Sequence, residues 1–288
     1  FIFIQLSYSY NNEHLKIFWN KKSPIWEQWR KDNPNIKPDL SYAKFHRAFF
    51  KGDFTFVNLQ YTKITGTSIS EADFSNANLS NCILSDTEAY ATYGRKKPSI
   101  IFKDTLCFKM QILNSKFMGI SVTKTNFKEA EIINSKFEMS SFKQVSFVKA
   151  KIVNSEFWPR LQYIDFSYAQ ITKATIDSGF SPDTKMYNVK FDYTSIHYSI
   201  LSGWLYNISF LNADLKGSSF YFFKLPEGST LVNVNFTNAN LTNVNFQKVK
   251  FHNVIFKNAD MTGVKLERKW YAYVKKQGVR NFDKIQWM

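Results

Sequence analysis

The sequence predicts an all-β solenoid: a right-handed, four-sided β-helix with short helical caps. Three observations predict it. A bulky apolar residue recurs at every fifth position, the residue two before it is usually Ala, Ser, Thr or Val, and near-identical heptads recur twenty residues apart.

The fivefold spacing comes first because internal repeats decide architecture before local propensity does. One run is Phe54, Leu59, Ile64, Ile69, Phe74, Leu79 and Leu84. A second runs from Ile112 through Phe117, Val122, Phe127, Ile132, Phe137, Phe142, Phe147 and Ile152 to Phe157. A third runs from Leu231 through Phe236, Leu241, Phe246, Phe251, Phe256 and Met261 to Leu266. A period of five matches neither a helix face nor a simple strand. It matches a chain that turns one corner per repeat. The bulky centre and the small residue point inward, and the other three positions face solvent.

The second period sets the number of sides. QILNSKF begins at Gln111, EIINSKF at Glu131 and KIVNSEF at Lys151, so one coil takes four repeats. Coils stacked at the strand spacing would give roughly ten turns over about 45–50 Å. Side chains one coil apart then lie over each other. Phe117, Phe137 and Phe157 are expected to form one core ladder, and Phe127 and Phe147 another on the opposite side. Ile112, Ile132 and Ile152 form an aliphatic ladder between them. Asn114, Asn134 and Asn154 are expected to stack at one corner and cap backbone groups there.

These residues resemble the pentapeptide-repeat family, whose pattern is Ala-Asp/Asn-Leu/Phe and two variable residues. ADFSN from Ala72, ANLSN from Ala77, ADLKG from Ala213, ANLTN from Ala239 and ADMTG from Ala259 carry the resemblance, which covers about residues 38–267. The segment from Trp26 to Phe45, with Trp29, Arg30, Asn33, Pro34, Pro38, Asp39 and Leu40, is similar to the Trp-rich lead-in of bacterial members. That likeness implies a standalone protein starting near residue 1. The initial Phe leaves an upstream signal, anchor or domain open. The motif is specific for fold and says little about function.

A solenoid must cover its ends. Residues 1–37 are expected to form a lead-in and first cap, using Leu15, Phe18, Trp19, Ile25, Trp26 and Trp29. Residues 38–267 form the β-helix, with interruptions near 87–101, 158–162, 177–187 and 221–229. Residues 268–288 form the last cap and tail: Trp270, Tyr273 and Val274 share a helical face, Gly278 stops it, and Phe282, Ile285 and Trp287 fold back or meet a second copy. The resemblance implies that a homodimer through this tail is one outcome.

Composition bounds function. The formal charge is +15, from 38 Lys and Arg against 23 Asp and Glu. Such a surface suits an acidic protein, an anionic membrane or nucleic acid. The four histidines fall in no metal-binding spacing, and no phosphate loop appears. Cys82 and Cys107 fall at inward positions and read as core thiols. No catalytic, cofactor or metal residues are assigned. The leading expectation is a non-enzymatic scaffold for an unidentified protein partner. The alternatives are electrostatic attachment to an anionic surface, and duplex-DNA mimicry directed at a topoisomerase, an activity the resemblance carries and the positive charge opposes. Candidate interaction residues are Tyr90, Tyr93, Arg95, Lys96 and Lys97 in one interruption, and Trp270, Lys275, Lys276, Arg280 and Trp287 at the C-terminal end. With no segment resembling a signal peptide or membrane span, a cytoplasmic location is expected, with peripheral membrane association or an upstream anchor left open.

Overall fold

A residue with positive φ closes most sides of the coil. In the 127–147 coil these are Glu129, Asn134, Met139 and Gln144, with φ of 60°, 52°, 50° and 56°. The left-handed residue turns the chain, and the small inward residue that follows it, such as Ala130 or Ser135, leaves room for the turn. The computed structural model describes residues 11–19, 25–90, 100–178, 185–221 and 228–288, except the side chains of Ser70 and Tyr90. The sides are numbered here from that of Leu40 and Leu59.

Every bridge between successive coils is parallel. Side 2 is a sheet of eight short strands, running from Lys44–His46 through Glu131–Ile133 to Ser195–His197. Sides 3 and 4 share a fourteen-stranded sheet, and strands such as Lys136–Ser146 pass round the corner between them. Isolated bridges such as Asn58↔Asn78 and Asn126↔Ser146 continue the pattern on side 1.

The core ladders follow the expected phase. Phe117, Phe137 and Phe157 stack on side 3 with ring centroids 5.0 and 4.8 Å apart. The side 1 ladder is much longer than its first two members. From Phe127 it continues through Phe147, Phe166, Phe191, Phe210 and Phe236 to Phe256, at 4.9–5.3 Å and with ring planes within 9°. This spacing is the coil rise itself, so each ring meets the next in a parallel contact worth about 0.5–1.5 kcal/mol beyond burial. Ile112, Ile132 and Ile152 are paired in register on side 2. The coil holding Cys107 exchanges volume. Cys107 takes a ring position next to Phe127, and Met110 fills the neighbouring small position that is Ala130 one coil on.

The Asn114–Asn134–Asn154 corner differs from expectation. All three are left-handed, but the Asn134 amide donates to Asn114 Oδ1 at 3.1 Å, so this contact joins side chains between coils and caps no backbone. The next residues do the capping. Ser135 Oγ accepts the Ser115 amide at 3.1 Å and donates to the Ile133 carbonyl at 2.9 Å, and Ser155 repeats the arrangement. Where the buried small residue is Ser, its hydroxyl satisfies the corner backbone.

Departures from the five-residue spacing all fall at the corner between sides 3 and 4. Phe50 to Phe54, Phe157 to Leu161 and Leu201 to Leu205 are one residue short. Ala89 to Phe102, Ile176 to Met186 and Phe220 to Leu231 are longer. The break near Trp158 is therefore a register shift within the continuous strand Glu156–Asp165. The short coils at 52 and 203 turn on glycine, with φ of 94° and 96°. Confining length changes to one corner leaves sides 1 and 2 free to stack without interruption.

Two helices, α1 (Asn12–Trp19) and α2 (Ile25–Asp32), cover the first coil. Phe18 lies 5.0 Å from Phe45 and 4.9 Å from Phe50, ring centre to ring centre. Buried Arg30 locks α2 in place through the Ile36 and Thr55 carbonyls and Asp53, whose carboxylate lies 3.2 Å from its Nε. Burial alone would raise the Asp53 carboxyl, but hydrogen bonds from Thr55 and the Arg30 charge hold it below the usual carboxylate value.

At the other end α3 (Tyr271–Lys275) leaves from the same corner, after Leu266. Tyr273 and Gln277 stand in for a missing strand. The Tyr273 hydroxyl accepts the Val254 amide at 2.9 Å and donates to its carbonyl at 2.8 Å, and Gln277 Oε1 accepts the Phe256 amide at 2.7 Å. Beyond Gly278 the tail resumes the coil: Arg280 bridges Asp260, and Gln286–Trp287 pairs in parallel with Lys265–Leu266.

Candidate interaction surface

With the interior filled by the ladders, chemistry toward a partner falls to the outward residues. On three sides these residues neutralise one another between coils. Side 3 carries Lys51–Glu71, Lys116–Glu138 and Lys136–Glu156, the last at 2.7 Å. Side 2 carries Lys151–Glu131, and the corner of side 1 carries Lys109–Glu129, both at 3.8 Å. The Lys136 ammonium is held above its ordinary value, chiefly by its hydrogen bond to Glu156. Like positions of successive coils face each other, so opposite charges placed one coil apart make a ladder.

Side 4 carries Asp53, Asp73 and Asp104 in its first three coils and is built differently beyond them. Its segments 120–124, 140–144, 159–163, 184–188, 203–207, 229–233 and 249–253 contain no Asp or Glu. Four successive coils present Lys124, Lys143, Arg160 and Lys185, and Lys250 follows further along. Lys124, Lys143 and Arg160 are exposed and make no ion pair among the described residues. Aromatic rings interleave with these cations. Tyr163 and Tyr187 are exposed and meet edge to face at 5.7 Å. Trp204 and Tyr206 project from one strand with parallel rings 6.3 Å apart, and the Lys185 ammonium lies 4.8 Å from the Tyr206 ring centre.

A second aromatic feature lies one side away, between sides 1 and 2. Tyr168 and Tyr193, at the corner of side 1, stack at 5.1 Å with planes 5° apart while half exposed to solvent. Both have positive φ, as do Tyr163 and Tyr198. A bulky side chain is costly in this conformation, which Asn adopts readily. Asn188, Asn207, Asn233 and Asn253 hold the Tyr163 corner in later coils.

The C-terminal candidates are engaged with their own chain. Trp270 packs on Phe251 at 4.8 Å, and Trp287 lies against Tyr271 and Phe282. Lys275 sits over the Tyr271 ring, and Lys269 pairs with Glu267. Arg280 Nε donates to the Asn258 carbonyl at 2.9 Å, while Lys276 is exposed. Tyr93, Arg95, Lys96 and Lys97 lie outside the described residues. So does the side chain of Tyr90, which ends a side 3 strand.

Cys82 and Cys107 are buried and free. Burial pushes the Cys82 thiol up to about 12 against the pull of the Thr62 hydroxyl, and pushes Cys107 well above its ordinary value. Among the described residues no three His, Cys, Asp or Glu side chains are grouped to hold a metal ion, and no helix is long and apolar enough to cross a membrane.

Reading the sequence along the chain missed the side 4 residues, which lie up to twenty-five positions apart. Sorting by side finds Lys124 and Lys143 from the four-repeat period, whereas Arg160 and Lys185 fall at coils of unequal length where that period is broken.

Comparison with known proteins fits this geometry. The family model described as pentapeptide repeats matches eight copies, over residues 53–87 and 228–268. No curated protein matches. HetL, a pentapeptide repeat protein involved in heterocyst differentiation regulation from the cyanobacterium Nostoc sp. strain PCC 7120, is 16% identical with a TM-score of 0.32, over 83% of this chain and 95% of its own. QnrB1, a plasmid-mediated fluoroquinolone resistance protein, is 18% identical with a TM-score of 0.34, over 81% of this chain and 94% of its own. The periplasmic alginate epimerase AlgG is 10% identical with a TM-score of 0.25, over 79% of this chain and 66% of its own. The family model matches the Ala-Asp/Asn-Leu/Phe units that build the coils, and on that match the chain belongs to the pentapeptide-repeat family.

Proposed function

We propose that this protein is a non-enzymatic interaction scaffold that acts through its outward sides. The observation that carries the reading is the filled core. Phenylalanine and aliphatic ladders occupy the axis, both thiols are sealed inside it, and among the described residues every histidine and every carboxylate except buried Asp177 is at least partly exposed. Flat, rigid sides of this kind bind by shape and by the side chains they present.

The reading is tested by purifying the full chain from its native extract at low and high salt, beside variants that reverse one exposed charge per side. A scaffold retains a defined protein at high salt and loses it on reversal of one side, with thermal unfolding unchanged. Association with every variant alike, or none that survives high salt, contradicts it. The stretch of side 4 from residue 120 to 253, which carries no Asp or Glu in its side 4 segments, also favours a second reading, attachment to an anionic polymer.

A further inference from the structure

We propose that side 4 is a binding site for single-stranded nucleic acid, with phosphates on Lys124, Lys143, Arg160 and Lys185 and unpaired bases against Tyr163, Tyr187 and Tyr206. Three independent features point to this ligand. The first is charge. The cations appear once per coil over four coils and step diagonally across the side: Lys143 pairs with Thr123, one residue before Lys124, and Arg160 pairs with Ser141, two residues before Lys143. Asp104 holds the position of Lys124 one coil earlier, but the seven side 4 segments from residue 120 onward contain no carboxylate, whereas Lys51, Lys109, Lys116, Lys136 and Lys151 on the other sides are paired. A linear ligand of regular negative charge complements such a row.

The second feature is the rings. Tyr163 and Tyr187 are exposed among the cations, and the parallel rings of Trp204 and Tyr206 continue the row. Interleaved cations and exposed aromatic faces are the usual elements of single-strand binding, where the charge tracks the backbone and the rings stack on bases of any sequence. A duplex hides its base faces, and a flat sheet has no element to enter its grooves. Lys185 over Tyr206 shows that these rings already accept a cationic group at their face.

The third feature is conformational cost. Tyr163 is held at a φ of 57°, at a corner where the four coils that follow use Asn. A strained bulky residue on the surface, kept where a relaxed one would serve the fold, points to use of its side chain.

The test uses the intact chain and a fluorescent oligothymidylate, read by anisotropy across a salt series. Arms with duplex of the same length, heparin and anionic vesicles identify the ligand class. The slope of log affinity on log salt is expected to be roughly −3, from about 0.7 per phosphate contact on a single strand. Lys143→Gln and Arg160→Gln are each expected to flatten the slope by about 0.7, and Lys149→Gln on side 1 to leave it nearly unchanged. Tyr187→Ala should weaken binding by roughly 5- to 100-fold with the slope retained. All four positions are exposed, and circular dichroism confirms that each variant folds. The proposal is overturned if the oligomer fails to bind at low salt, if Lys149→Gln costs as much as Lys143→Gln, or if Tyr187→Ala has no effect. Tighter binding of duplex, heparin or vesicles than of the single strand also overturns it. None of these results touches the scaffold reading, which requires a protein partner that resists salt.

Discussion

The Lys185 ammonium lies 4.8 Å from the centre of the Tyr206 ring, which belongs to the next coil. This contact joins the charged and aromatic halves of side 4. A cation over an exposed ring contributes about 0.5–1 kcal/mol. Tyr206→Leu is therefore expected to lower unfolding free energy by no more than about 1 kcal/mol while reducing oligothymidylate affinity. Loss of several kcal/mol in denaturant titration would make Tyr206 a structural residue instead.

Phe137 provides the contrast. It stacks between Phe117 and Phe157 and is almost fully buried. Phe137→Ala removes a ring from a filled ladder and is expected to cost about 3–5 kcal/mol. Thermal unfolding close to that of the unaltered chain would contradict the inward phase.

The left-handed corners give a prediction of opposite sign. Tyr198 has a φ of 52° and is 61% exposed, so its ring contributes little burial. Tyr198→Asn is expected to stabilise the chain by up to about 1 kcal/mol, as backbone strain is relieved. Gly217→Ala is expected to destabilise it. Gly217 has a φ of +68°, and an added Cβ would meet the Tyr198 ring at 2.8 Å. Chemical denaturation of both variants checks the pair, and a loss of stability in Tyr198→Asn would show that the ring makes a contact worth more than the strain.

The thiols set a pH dependence. The Cys82 thiol is raised from 9.0 to about 12 in the folded chain. A raised acid contributes fully below the unfolded pKa. That contribution is lost as pH climbs from about 9 toward 12, because the unfolded chain releases a proton that the folded chain retains. Stability is expected to fall across that window, and less so in Cys82→Ala. A disulfide-exchange reagent at pH 8 should find neither thiol until denaturant is added. Rapid reaction of the native chain would place a thiol at the surface.

Much of this was legible in the sequence because radial phase is written in side-chain size. Phe127 and Phe147 gave the side 1 ladder from spacing alone, although its continuation to Phe256 was obscured by coils of unequal length. The C-terminal tail was harder to read. Arg280 and Trp287 rejoin the coil after α3 has replaced one side, and the five-residue rhythm does not resume around them. The role given to the Asn134 corner also needed coordinates. An inward serine and an outward asparagine both bond at corners, and only geometry separates the Ser135 hydroxyl that caps the backbone from the Asn134 amide that reaches the next coil. Charge pairing was hidden for a similar reason, since Lys136 and Glu156 become neighbours only once the coil is closed.

Binding confined to one outer side of a rigid solenoid, side 4 for an anionic strand, leaves the other sides unprotected. Hydrogen–deuterium exchange of the full chain with and without oligothymidylate tests it most directly. Added protection is expected in the side 4 strands carrying Lys143, Arg160 and Tyr187, with the side 2 strands around Ile132 and Ile152 unchanged. Protection that instead appears on side 2, or only at the terminal caps, would contradict it.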